Sequence, residues 1–153
     1  VYFVTTDTWE RRKLFLAPTW TKVLLEQILS CRERGFYKLH AFVIMPDHVH
    51  ALLTPAAETT VEKAMQMIKG GSSHRIKAEL GSSFPIWHAG FHDHWIRDEN
   101  EYRTRFAYIG ANPVTAKLVS RPEEYERSSV SGKYVLDAGP YDHQENATGA
   151  KAL

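Results

Sequence analysis

The sequence is poor in most features that would assign a protein to a specialised class. Its 153 residues include one cysteine, so no internal disulfide can form. Cys31 lies in the apolar stretch LLEQILSC, and a reducing, cytoplasmic compartment is the natural setting. No run approaches the ~18 apolar residues of a membrane-spanning helix. The opening VYFVTTDT has neither the charged start nor the cleavage site of a signal peptide. It also has no initiating methionine, which points to loss of the first residues. Neither sign of charge dominates: 19 Lys+Arg face 18 Asp+Glu, a net of +1, so composition alone does not announce a nucleic-acid binder. No internal repeat or low-complexity block is present. What remains is 43% hydrophobic and 24% charged, the make-up of an ordinary globular protein at a length suited to one domain.

The charge is slightly uneven. Residues 1–97 carry 12 basic against 9 acidic residues, and residues 98–153 carry 7 against 9. Eight histidines add to any basic face when protonated. Along the chain, Val1–Thr6 reads as a strand, and apolar residues Trp20, Leu24, Ile28 and Cys31 recur at helical spacing from Pro18 to about Arg34, with Gly35 as a stop. Tyr37–Met45 and His48–Thr54 read as the arms of a hairpin turned at Pro46-Asp47. Thr59 or Thr60 caps a second helix, whose face of Val61, Met65, Ile68, Ile76 and Leu80 continues past Gly70-Gly71 at roughly 1 kcal/mol per glycine. Phe91–Arg97 reads as a short strand. Asp98 with Glu101 opens a third helix that should end or kink at Asn112-Pro113, with a further short turn over Val114–Val119. From about Asp137 the chain turns small and polar, so a domain over 1–136 with an ill-ordered tail over 137–153 is expected. The order strand, helix, strand, strand, helix, strand, helix predicts an α+β fold. It is one antiparallel sheet with helices packed on it, close to the ferredoxin-like (RRM-like) pattern.

Three groups of residues could carry chemistry. His48 and His50 share one face of a strand, about 7 Å apart. They could converge on a metal, or they could be two polar residues on an exposed sheet. His92 and His94 have the same spacing, but Asp93 between them would need a partner if its face were buried. The first pair therefore suits a core strand better, and both could line one site if their strands adjoin. Tyr108 and Asn112 lie on one helix face about 6 Å apart; in isolation they read as a packed aromatic and a helix end.

Taken together, these stretches resemble a known family, the single-tyrosine HUH transposases, and within it the REP-associated tyrosine transposases of bacteria. The resemblance is carried by YFVTTDTWERRKLF, AFVIMPDHVHALLTP, IWHAGFHDHWIRDENEYRTRFAYIGANPVTAKLV and EEYERSS, which span about residues 1–130. It implies that the HUH strand is central in the sheet and that His48 and His50 bind a divalent metal. It further implies that Tyr108 is the nucleophile, that Asn112 completes the metal site and that the substrate is single-stranded DNA forming hairpins. Imidazole ligands would by themselves favour zinc or other transition metals; the family implies Mg²⁺ or Mn²⁺. Two positions depart from the family's habit: Gly110 stands where a larger residue is usual, and Lys117 stands in place of a common glycine.

Arg11, Arg12, Lys69, Arg75, Lys77 and Arg97 could meet phosphates or merely be solvated. Trp87 and Trp95 could stack on unpaired bases, although core packing suits a tryptophan better. The expected activity is metal-dependent cleavage and transfer of DNA strands through a 5′-phosphotyrosine. The alternatives are a hairpin-binding protein with weak catalysis and a zinc hydrolase built on the four strand histidines. A monomer is favoured over a homodimer.

Overall fold

The computed structural model describes residues 1–142. Its elements follow the expected order: β1 (Tyr2–Asp7), α1 (Pro18–Glu33), β2 (Tyr37–Ile44), β3 (His48–Pro55), α2 (Val61–Leu80), β4 (His92–Trp95) and α3 (Glu99–Thr115). The strands form one sheet in the order β2-β3-β1-β4, with every neighbouring pair antiparallel. This is the ferredoxin-like arrangement. It places β3 in the interior and leaves β4 at an edge.

The two faces of the sheet are covered differently. On one, α1 and α2 pack Leu24, Ile28, Met65, Ile68 and Ile76 against Val4, Phe42, Ile44, Val49, Ala51 and Leu53. On the other, α3 packs Tyr102 and Ile109 against Phe3, Ala41, Val43 and Leu52. A strand covered on both faces must be apolar on both, and Leu52 and Leu53 are indeed each fully buried. The apolar rule lapses at the other end of β3, on the α3 face alone, and there His48 and His50 stand.

The helix ends follow local chemistry. The Thr60 side chain accepts the Lys63 amide at 3.1 Å, and Asp98 accepts that of Glu101 at 2.8 Å, so both predicted N-caps form. Helix α1 ends with Gly35 at φ +81°; the Phe36 amide donates to Cys31 O and the Gly35 amide to Arg32 O. Helix α3 ends in the same way at Lys117, where the Leu118 amide donates to Pro113 O and the Lys117 amide to Val114 O. Of the end or kink expected at Asn112-Pro113, the end is corrected: α3 runs on to Thr115. Pro113 sits inside the helix, where its ring removes one backbone donor, and its carbonyl accepts the closing bond. Lys117 holds φ +62°, a conformation that disfavours a side chain by roughly 1 kcal/mol, which accounts physically for glycine being usual there. Gly110 is buried against Val130.

The expected tail begins on an anchor. Asp137 takes both Arg32 guanidinium donors at 2.9 Å. Its carboxylate and amide also pair with the Leu39 backbone at 2.9 and 2.8 Å. Asp142 accepts from the buried Tyr102 hydroxyl at 3.2 Å and from the Gly139 amide. Over residues 137–142 the polar groups are bound to the domain; residues 143–153 of the expected tail lie outside the described residues. Trp87 is a core residue, donating its indole N–H to Ser72 at 3.0 Å and packing against Phe15, whereas Trp95 is 61% exposed. Among the described residues no helix is long and apolar enough to cross a membrane.

Candidate active site

The turn from β2 to β3 is fixed from outside. The Thr8 amide donates to Asp47 O and the Phe15 amide to Pro46 O, both at 3.0 Å, so the start of β3 cannot drift. Antiparallel register then decides what faces what. His50 stands opposite Thr5 and Val43, His48 opposite Asp7, and His92 and His94 opposite Thr5 and Phe3. Cross-strand partners share a face, so both histidine pairs lie beneath α3.

Each ring of the first pair is held through its Nδ1 atom. The rings of His48 and His50 are 4.7 Å apart. His48 Nδ1 lies 2.7 Å from Asp47 Oδ1. A carboxylate accepts only, so Nδ1 carries a proton, and Nε2 is the nitrogen whose lone pair a ligand would use. His50 Nδ1 lies 2.7 Å from the Thr5 hydroxyl; with the proton donated to Thr5, its Nε2 is likewise open. That nitrogen is buried and has no hydrogen-bond partner among the described residues. Burial first, and then the fields of His48, Arg105 and Arg11, push the His50 pKa down to about 3, so the ring is neutral at physiological pH. A buried nitrogen without a partner ordinarily costs about 1–3 kcal/mol. Such an atom fits the role of a metal ligand.

Tyr108 approaches from α3, with its ring 5.3 Å from His50 and 6.1 Å from Phe3, edge-on to both. It is nonetheless 47% exposed, open to a partner from outside the protein. Asn112 lies one helical turn further on, half-buried, and its side chain makes no hydrogen bond among the described residues. His48, His50 and Tyr108 are thus brought into ring contact, and Asn112 is on the adjoining turn with its amide uncommitted.

The second histidine pair goes elsewhere. His94 hydrogen-bonds to Glu101 on the first turn of α3, and His92 is exposed on the edge strand. The Arg97 amide and the His94 contact hold the Glu101 carboxyl down at about 2. Among the described residues no group of three or more His, Cys, Asp or Glu side chains converges as a metal cage. Among the described residues the four histidines therefore do not converge as one ligand set.

The basic residues singled out in the sequence are mostly engaged by the protein. Arg11 lies beside the site, donating to Asp7 at 2.6 Å and approaching Asp47 at 3.4 Å. Arg12 pairs with Glu10 and lies over Trp9. Lys69 donates to the carbonyls of His88 and Gly90, Arg75 pairs with Glu26 and Glu79, and Arg97 with Glu101. Lys69 and Arg75 ride on α2, the helix across the sheet from the histidines. Sequence reasoning missed Thr5, Asp47, Phe3 and Arg105, which surround the pair. Asp47 was within reach of it, as the carboxylate next to a candidate ligand; the others come together only through strand register and helix docking.

A ferredoxin-like sheet that offers an interior His-x-His pair to a helix-borne tyrosine has the layout of a HUH-type transposase. The sequence profile of the IS200-like transposase family matches residues 2–110, and the chain belongs to that family. It is 24% identical over 148 residues to the REP-associated tyrosine transposase of Escherichia coli (strain K12), covering 89% of this chain and 87% of that one. An uncharacterised protein of Haemophilus influenzae is 28% identical over 98 residues, covering 50% of this chain and 54% of that one. Among solved structures, a REP-associated tyrosine transposase bound to a REP hairpin superposes with a TM-score of 0.73 at 25% identity, covering 90% of this chain and 84% of that chain. A transposase-like protein of Deinococcus radiodurans R1 shares the fold, with a TM-score of 0.55 at 18% identity over 68% of this chain and 84% of that one.

Proposed function

We propose that this protein cuts and rejoins single-stranded DNA at hairpin-forming, REP-like sequences, with Tyr108 as the nucleophile. The observation that carries this reading is the buried, partnerless Nε2 of a neutral His50 beside His48 and under the exposed Tyr108 ring. The hairpin is suggested by the similar structure bound to one. His48, His50 and Asn112 would hold a divalent ion, Mg²⁺ or Mn²⁺, with DNA and water completing its shell. When bound, that ion polarises the scissile phosphate.

The chain's own residues do the rest. Asp47 and Thr5 fix the two imidazoles by holding their Nδ1 protons, which leaves the Nε2 lone pairs available to an ion. Pinning of the Pro46-Asp47 turn keeps that pair at a constant place relative to α3. Tyr108 loses its phenolic proton to solvent and forms an O–P bond as the P–O3′ bond breaks. The departing oxygen takes up a proton to become a 3′-OH. The phosphotyrosine retains the energy of the broken bond, so attack by a 3′-OH on it reverses the step and rejoins a strand. Because Tyr108 lies against His50 of its own chain, action as a monomer in the bacterial cytoplasm is the form proposed.

The test is a hairpin oligonucleotide from DNA flanking the gene, incubated with Mg²⁺ or Mn²⁺ and resolved on a denaturing gel. A protein–DNA adduct is expected that disappears in Tyr108→Phe and in EDTA. Hairpin binding with no adduct under either ion would replace the proposal with a binding-only role.

A further inference from the structure

We infer that Arg105 grips the scissile phosphate and neutralises its charge while Tyr108 attacks; this rests on the strand-cleavage reading above. Arg105 stands one turn before Tyr108 on α3, at the i, i+3 spacing that places two side chains on one helix face. Its guanidinium lies over the Phe3 ring, 4.7 Å from the centroid. Phe3 in turn stacks on His50, with centroids 5.3 Å apart and planes 21° apart, and meets the Tyr108 edge. One aromatic ring therefore holds the guanidinium against the two groups proposed for the chemistry.

Its bonding state separates Arg105 from most other arginines of the chain. Arg11, Arg12, Arg32, Arg75, Arg97 and Arg121 each meet a carboxylate. Arg105 makes no hydrogen bond and no ion pair among the described residues. A half-buried guanidinium has five N–H donors in a planar fork suited to two oxygens of one phosphate. Stacking on Phe3 holds the cation in place without using any of those donors. Arg34 is comparably free, lying over Phe36. However, the Phe36 carbonyl takes the Ala56 amide, which places Arg34 at the Pro55 end of β3, ~23 Å along the strand from His48.

The other polar groups around Tyr108 are engaged by the protein: His48 and His50 through Nδ1 with Asp47 and Thr5, and Arg11 with Asp7 and Asp47. In-line attack spreads negative charge over the non-bridging oxygens, and a preorganised cation with open donors is the group that stabilises it. Arg105 meets that requirement, and phosphodiester DNA is the ligand class it recognises.

The experiment uses Arg105→Ala, Arg105→Lys and the unchanged protein, all checked by thermal melting. The substrates are the hairpin strand and a copy with a methylphosphonate at the cleaved linkage, which removes one phosphate charge. On the natural strand, adduct formation should slow ~100-fold in Arg105→Ala and less in Arg105→Lys, which keeps the charge but not the fork. On the methylphosphonate strand the three proteins should react alike. A merely structural role would slow both strands equally and overturn the inference. A second readout needs no cleavage: hairpin binding in EDTA, with a single methylphosphonate placed at each position in turn. The unchanged protein should lose about tenfold in affinity at one linkage, and Arg105→Ala should lose nothing there. Equal sensitivity of both proteins at every linkage would overturn the inference. Absence of any adduct from the unchanged protein would fall on the cleavage reading, with the phosphate contact still decided by the binding scan.

Discussion

The chain holds two His-x-His pairs on the same face of the same sheet, with Thr5 standing between His50 and His92. They end in opposite conditions. On the interior strand, both Nδ1 atoms are engaged and a buried Nε2 is left open. On the edge strand, one ring is spent on Glu101 and the other faces solvent. Spacing is identical, so spacing cannot be what makes a site. Strand position makes the difference: an interior strand has neighbours on both sides to orient and dry its side chains, and an edge strand has one.

The comparison can be broken most severely at His50. His50→Ala should slow adduct formation by about a thousandfold, the rate equivalent of ~4 kcal/mol from a lost metal ligand, as read from gel time courses. Asp47→Ala leaves both imidazoles but frees His48 to rotate and to change tautomer. Titration calorimetry with Mn²⁺ should then show metal affinity reduced ~10–100-fold. An unchanged affinity would mean that Asp47 serves Arg11 rather than His48.

On the edge strand, Glu101→Gln should leave cleavage alone and lower the melting temperature, with a pH signature. The carboxyl sits at about 2 in the folded protein against an ordinary 4.5. Its contribution is therefore complete above pH 4.5 and fades as pH falls towards 2. Melting curves of the two proteins should be furthest apart above pH 4.5 and converge in acid; a constant gap would deny the ionic origin. The smallest effect is expected at His92: His92→Ala should change neither adduct rate nor melting temperature measurably. A large loss of rate would make the two pairs one site after all.

Much of this architecture could be read from the sequence because it is locally encoded. Alternation and turn residues defined the strands, and Thr60 and Asp98 announced their helices through side chains that bond three residues on. What escaped reading depended on encounters between distant segments. Pro113 was expected to end or kink α3, since nothing local says that its carbonyl will close the helix with Leu118. Asp137 looked like the start of a tail because its partners, Arg32 and Leu39, lie about a hundred residues upstream. Within the site, type and spacing made the histidines candidates, and the family resemblance added the tyrosine. Arg105 could not, because its distinction is a lack of partners, and this is a property of the folded chain.

The anchoring of Asp137 has a consequence for life in a crowded cell. Together with the Ser128 bridge to Val43 and the Arg127 carbonyl on the Ile44 amide, it occupies hydrogen-bonding positions along the outer edge of β2. The sheet's other margin, β4, is four residues long and displays His92, Asp93 and His94. A long, flat, apolar margin invites a neighbouring chain to add a strand. Here one margin is already taken by the chain's own later residues and the other is short and polar, so stray chains find little to pair with.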